Sequence, residues 1–133
     1  MKKRKKIVLA KPGLDGHDRG IQIVASALKE GGMDVVYLGL RQTPEAIVEA
    51  AVQNKADAIA VSVLTGSHMT VFRKILRLLK ERGIKHILVT GGGIIPEEDR
   101  RELSRLGVGK LFGPGTPLEE IVSYIKNWKG SPP

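Results

Sequence analysis

The sequence contains no cysteine. That excludes disulfides, a thiolate metal site and a thiol nucleophile. Aromatic residues are only 4% of the chain, so there is no platform on which nucleic-acid bases could stack. The net charge of +8 does not reverse that reading, because five of the 22 Lys and Arg residues fall in the first six positions. Most of the others are spread along expected helix faces, which describes a basic tail and a solvated surface. No apolar run approaches the ~20 residues that cross a bilayer. The stretch after the basic start, Ile7-Val8-Leu9-Ala10, is too short for the core of a signal peptide. The expectation is a cytoplasmic protein with no membrane and no nucleic-acid partner. The three histidines, His17, His68 and His86, lie in three different segments, which argues against a zinc cluster. There is no G-x-x-x-x-G-K-[ST] motif for a nucleotide phosphate. Ser62 lacks the glycine-flanked elbow of a hydrolase nucleophile.

What is present is an alternation of periods in a chain of 133 residues, 41% of them hydrophobic. Ile7-Val8-Leu9-Ala10 is an uninterrupted apolar run, as a strand buried on both faces requires. From Gly20, the residues Ile21, Val24, Ala25 and Leu28 mark one helix face, and Gly31-Gly32 stops it. Val35 to Leu38 reads as a second strand. Thr43-Pro44-Glu45 reads as a helix start over a face of Ala46, Ile47, Ala50 and Ala51. Ala58 to Ser62 is a third strand, followed by a helix burying Val71, Ile75, Leu78 and Leu79 and closed by Gly83. His86 to Thr90 is a fourth strand, and Pro96-Glu97-Glu98-Asp99 opens the next helix. Lys110-Leu111-Phe112 is a short fifth strand. Thr116-Pro117-Leu118-Glu119 has the form of a capping box before a stripe of Leu118, Ile121, Val122 and Ile125.

Five strand–helix units without interruption predict an α/β fold: a single doubly wound, five-stranded parallel sheet of the flavodoxin-like order. The domain is expected over residues 6–128, with a basic tail at 1–5 and a loose tail at 129–133. In such sheets ligands sit outside the carboxyl ends of the strands. The unusual residues gather in those connections. They are Lys11 to Gly20 after strand one, Ser62 to His68 after strand three, Gly91-Gly92-Gly93 after strand four and Gly113-Pro114-Gly115-Thr116 after strand five. Four glycine-rich connections on one rim suggest a large ligand lying against backbone.

Within Asp15-Gly16-His17, the carboxylate is placed to hold one imidazole nitrogen while the other points away as a metal ligand. Lys11 would close that relay by pairing with Asp15. Spacing alone leaves open the alternative of a solvated loop histidine between two acids. His68 is equally open, as part of a helix cap or as a ligand contact. A phosphorelay receiver shares the fold, but strand three ends in Ser62 where a receiver carries its phosphate-accepting Asp.

Asp15-Gly16-His17-Asp18-Arg19-Gly20 resembles the D-x-H-x-x-G signature of cobalamin-binding domains, Ser62-Val63-Leu64 their S-x-L element and Gly91-Gly92-Gly93 their G-G element. Further stretches, including Gln42-Thr43-Pro44-Glu45, Ile95-Pro96-Glu97 and Pro114-Gly115-Thr116, are similar to the C-terminal domain of the methylmalonyl-CoA mutase family. The likeness runs from about Lys5 to Lys126. It implies adenosylcobalamin bound with its own base displaced, and His17 as the lower ligand to cobalt. Asp15 and Lys11 would stand behind His17. Gly16, Asp18, Arg19 and Gly20 would complete the loop around it. Ser62 and Leu64 would meet the displaced base, and Gly66 would also belong to the cofactor-binding set. Gly91, Gly92 and Gly93 would leave room for the nucleotide tail, and Gly113, Pro114, Gly115 and Thr116 would contact its far end.

The resemblance further implies the cobalamin-binding small subunit of a split isomerase. It would interconvert methylmalonyl-CoA and succinyl-CoA by radical rearrangement together with a separate large subunit, with an accessory GTPase as a further partner. A sister small subunit, such as that of a 2-hydroxyisobutyryl-CoA mutase, carries the same motifs. A corrinoid carrier for methyl transfer also carries them, usually behind a helical cap, which is not expected here because the first strand is read from Ile7. A storage protein without a catalytic partner is the fourth reading.

Overall fold

The computed structural model describes residues 4–12, 19–63, 68–113 and 115–129. Within them five strands alternate with five helices. In chain order these are β1 (Lys6–Pro12), α1 (Arg19–Glu30), β2 (Asp34–Gln42), α2 (Pro44–Gln53), β3 (Ala58–Val63), α3 (His68–Glu81), β4 (Leu88–Gly93), α4 (Glu97–Leu106), β5 (Leu111–Phe112) and α5 (Leu118–Asn127). The strands form one parallel sheet in the order β2-β1-β3-β4-β5. This is the expected doubly wound, flavodoxin-like arrangement.

Strand periodicity sends alternate side chains to opposite faces. Ile59, Val61, Val63 and Val89 join one core with Ile47, Val48 and Ala51 of α2, Phe72 and Ile75 of α3 and Leu103 of α4. Ile7, Leu9, Ala58, Ala60 and Leu88 join the other with Ile21, Ala25 and Leu28 of α1 and Ile125 of α5. Three helices therefore cover one face and two cover the other. At the end of α1, a side chain in place of Gly31 would put its Cβ 2.6 Å from Val122 Cγ1 of α5, so glycine is what lets these two helices meet.

Several local expectations are corrected. On α2 the buried residues are Ile47, Val48 and Ala51, whereas Ala46 is exposed and Ala50 half-buried. The larger Val48 turns the helix to put its own bulk inward. On α3 Phe72 occupies the core and Leu78 is only half-buried. Leu118 is 39% exposed, and Ile125 is the buried residue of α5. Thr116 does not cap α5, whose cap position is Pro117 without a side-chain bond. The Thr116 hydroxyl instead donates to the Gly113 carbonyl, 2.7 Å away, and closes the turn after β5. Thr43, by contrast, caps α2 as expected, accepting from the Ala46 amide at 3.1 Å.

Candidate functional site

Two strands extend further towards the carboxyl rim than their apolar runs indicate. β1 continues through Lys11 and Pro12, so Lys11 is a strand residue and only 1% exposed. Burying an ammonium is costly unless it is paired, and this one stands immediately before the segment that carries Asp15 and His17. β4 takes in Gly91, Gly92 and Gly93, which pair with Val61, Ser62 and Val63 of β3. The glycine run expected in a loop is the end of a strand.

The rim is hollow on the face covered by α1 and α5, and the cause lies in side-chain size. On that face β3 presents Ala58, Ala60 and Ser62, and β4 presents Leu88, Thr90 and Gly92. Side chains are small throughout on β3 and shrink towards the carboxyl end on β4. The result is a cavity of about 260 Å³. Its floor includes Leu9, Ala60, Ser62 and Thr90, and its roof is formed by Ile21 and Val24 of α1 and Ile121 and Ile125 of α5. Phe112 and Gly113 close the side towards β5.

The walls are almost wholly apolar. The hydroxyl of Thr90 is committed, donating to the Lys110 carbonyl. Ser62, half-buried, is the wall hydroxyl left for a ligand among the described residues. Such a space accepts a flat, apolar ring with one polar atom to match. It is near the lower end of the ~300–1,000 Å³ typical of small-molecule sites, so it holds one part of a large ligand and leaves the rest outside.

The expected site residues divide into three groups. Gly20, Ser62, Gly91, Gly92, Gly93 and Gly113 come together on this single cavity. Lys11, Arg19 and Gly115 with Thr116 lie elsewhere on the same rim, at the end of β1, the start of α1 and the turn after β5. Asp15, Gly16, His17, Asp18, Leu64, Gly66 and Pro114 lie outside the described residues. No group of three or more His, Cys, Asp or Glu able to hold a metal ion occurs among the described residues.

The glycines do not all serve one purpose. Gly20 lies in the first turn of α1, and a Cβ there would meet nothing within 4 Å. Gly20 lines the cavity, and no neighbour excludes a side chain there. At Gly91 a Cβ would lie 2.1 Å from the Val61 carbonyl oxygen, at Gly92 2.7 Å from that of Phe112 and at Gly93 1.7 Å from that of Val63. These three line the cavity, but it is the neighbouring strands that exclude their side chains. Making room for a ligand is thus not the whole reason for the G-G-G run.

By sequence pattern Leu9, Ile21, Val24, Ile121 and Ile125 are core residues, whereas in the structure they are also walls of the cavity. They repeat with the same period as core residues, and only the small Ala58-x-Ala60-x-Ser62 series opposite them signals a hollow.

Away from the cavity, His68 opens α3 with 6% exposure. Its Nε2 lies 2.6 Å from Oδ2 of Asp99 in the first turn of α4. Acids also stand at the starts of α2, with Glu45, and α5, with Glu119 and Glu120.

The chain is similar to known proteins in sequence and in fold. The family model described as the B12 binding domain matches residues 5–122. The chain is 46% identical over 122 residues to the 2-hydroxyisobutanoyl-CoA mutase small subunit of Aquincola tertiaricarbonis, covering 92% of this chain and 90% of that protein. It is 38% identical to the methylmalonyl-CoA mutase of Escherichia coli, where 94% of this chain corresponds to 18% of the longer protein. Among solved structures, a cobalamin-binding protein from Desulfitobacterium hafniense superimposes with a TM-score of 0.80 at 25% identity, over 96% of this chain and 60% of that one.

Proposed function

Because the chain belongs to the B12-binding domain family, we propose that it is the cobalamin-carrying small subunit of a split, adenosylcobalamin-dependent acyl-CoA mutase. The observation that carries this reading is the apolar cavity lined by Ser62 and by Gly20, which in sequence follows the segment that carries His17. The cofactor, when bound, supplies the radical chemistry, and the protein supplies position and electronics. In this reading the cavity receives the base and sugar of the displaced nucleotide tail, with the Ser62 hydroxyl meeting a ring nitrogen. His17 would hold the cobalt. Asp15, with Lys11 behind it, fixes the tautomer of His17 and raises its basicity.

The acyl-CoA site belongs to a large partner subunit. Two relatives that are small subunits, at 46% and 40% identity, support a separate partner, as does the match to only 18% of a single longer mutase. Methylmalonyl-CoA is the substrate suggested by the motifs, and 2-hydroxyisobutanoyl-CoA is the alternative favoured by the relative at 46% identity. Residues on the partner would decide between them, and an accessory GTPase would load the cofactor.

The test is an absorbance titration of the purified chain with adenosylcobalamin, followed by electron paramagnetic resonance of the cob(II)alamin form with nitrogen-15-labelled histidine. A base-off spectrum with histidine nitrogen coupling supports the reading. A spectrum without that coupling removes His17 from cobalt, and absence of binding removes the cofactor.

A further inference from the structure

His68 is a buried polar residue that the cavity does not use. Its side chain is 7% exposed, and Nε2 lies 2.6 Å from Asp99 Oδ2. A carboxylate oxygen accepts, so Nε2 carries the proton of that bond. Nδ1 is buried and has no hydrogen-bond partner among the described residues. A polar atom held away from water without a partner carries a standing desolvation cost, which a donor brought by a ligand would remove.

The position of the pair strengthens that expectation. α3 begins at His68, after the strand that ends in Ser62 and Val63. α4 carries Asp99 in its first turn, after the strand that ends in Gly91, Gly92 and Gly93. The two helix starts stand on the carboxyl rim, where ligands bind in this architecture. Within that turn Glu97 pairs outward with Arg101 at 3.1 Å, whereas Asp99 turns to His68. Asp99 thereby holds the ring through Nε2 and leaves Nδ1 without a partner among the described residues.

We propose that His68 is a positioning residue for the cofactor, with Nδ1 accepting a hydrogen bond from a primary amide on the periphery of the bound corrin. This rests on the cobalamin reading above, because primary amides are the donors that a cobalamin presents in number around its ring. The contact is to the corrin and not to the nucleotide tail, which distinguishes His68 from Ser62.

Two substitutions separate this role from a structural one. His68→Gln keeps a donor near the place of Nε2, for Asp99, and loses the acceptor at Nδ1. His68→Asn keeps an acceptor near Nδ1 and loses the reach to Asp99. Titrations use the full chain with adenosylcobalamin and with cobinamide, which has the corrin amides and no nucleotide base. His68→Gln is expected to melt like the wild type without cofactor and to bind both ligands about three- to tenfold more weakly, as loss of one hydrogen bond implies. His68→Asn is expected to melt lower and to lose less affinity than His68→Gln. In the wild type, the Nδ1 nitrogen-15 resonance of His68 should move on loading. Wild-type affinity in His68→Gln, with an Nδ1 resonance unchanged by cofactor, overturns the assignment and leaves the cobalamin reading standing. Failure of the wild type to bind either ligand overturns the cobalamin reading itself.

Discussion

Gly91 on β4 and Val61 on β3 approach so closely that a Cβ on the glycine would lie 2.1 Å from the valine carbonyl oxygen. The obstacle is backbone inside a sheet, which cannot turn aside as the end of a side chain can. Gly91→Ala is therefore expected to destabilise the protein without cofactor by about 2–3 kcal/mol, the upper part of the usual range for overpacking. Urea unfolding of the apo protein measures this. Unchanged stability would mean that the two strands separate at little cost.

Gly20 makes the opposite case. Its Cβ position is open, and its place in the first turn of α1 is helical. Gly20→Ala should leave the apo protein as stable or raise it by about 0.5–1 kcal/mol, because alanine has the higher helix propensity. Gly20 lines the cavity, so an added methyl should make adenosylcobalamin bind more weakly. Cobinamide, with no nucleotide base to insert, should bind as it does to the wild type. Equal losses for the two ligands would place Gly20 outside the path of the tail.

His17→Ala should abolish the histidine nitrogen coupling in the cob(II)alamin spectrum and leave the melting temperature of the apo protein unchanged, since a residue in a strand-to-helix connection contributes little to a core. A mutant that keeps the coupling would transfer the ligand role to another histidine.

The ties between α2 and α3 predict a dependence on pH. The hydrogen bond from Arg82, 2.7 Å away, and its charge hold the Glu49 carboxyl below its ordinary value. A bond to its own backbone amide and the neighbouring Lys74 do the same for Glu45. A carboxyl with a depressed pKa in the folded state contributes stability that is fully present above its unfolded value, about 4.3. That contribution is lost as pH falls through the folded value. Glu49→Gln should therefore lower stability slightly at neutral pH and weaken the acid dependence below about pH 4.3. Both groups are exposed, so the effect is small and sensitive to salt. Thermal melts at pH 7 and pH 3 in low and high salt give the comparison.

The order of elements was legible because each strand is a short apolar run and each helix has its own period. Ile21, Ala25 and Leu28 point inward as that period requires. Thr43 caps its helix because the signal is local, an oxygen three residues from an amide. The equally local signal at Thr116 does not act as a cap because α5 begins at Leu118, which puts Pro117 and not Thr116 in the cap position. Strand ends were misjudged where pairing decides them. Gly91-Gly92-Gly93 has no strand propensity of its own and is extended because Val61, Ser62 and Val63 pair with it. The partner of His68 was not legible, since Asp99 is 31 residues away and reaches it only when α3 and α4 pack side by side.

The sequence by itself determined the fold class, the rim on which the unusual residues gather and the family, because these follow from periodicity and from motifs read within short windows. The tertiary structure alone decided that small side chains on β3 and β4 leave a cavity beneath α1 and α5. It also decided that Gly91, Gly92 and Gly93 are demanded by neighbouring strands and that Asp99 orients a buried histidine. Each of these depends on distances between segments far apart in the chain, which are fixed only when the sheet and its helices pack.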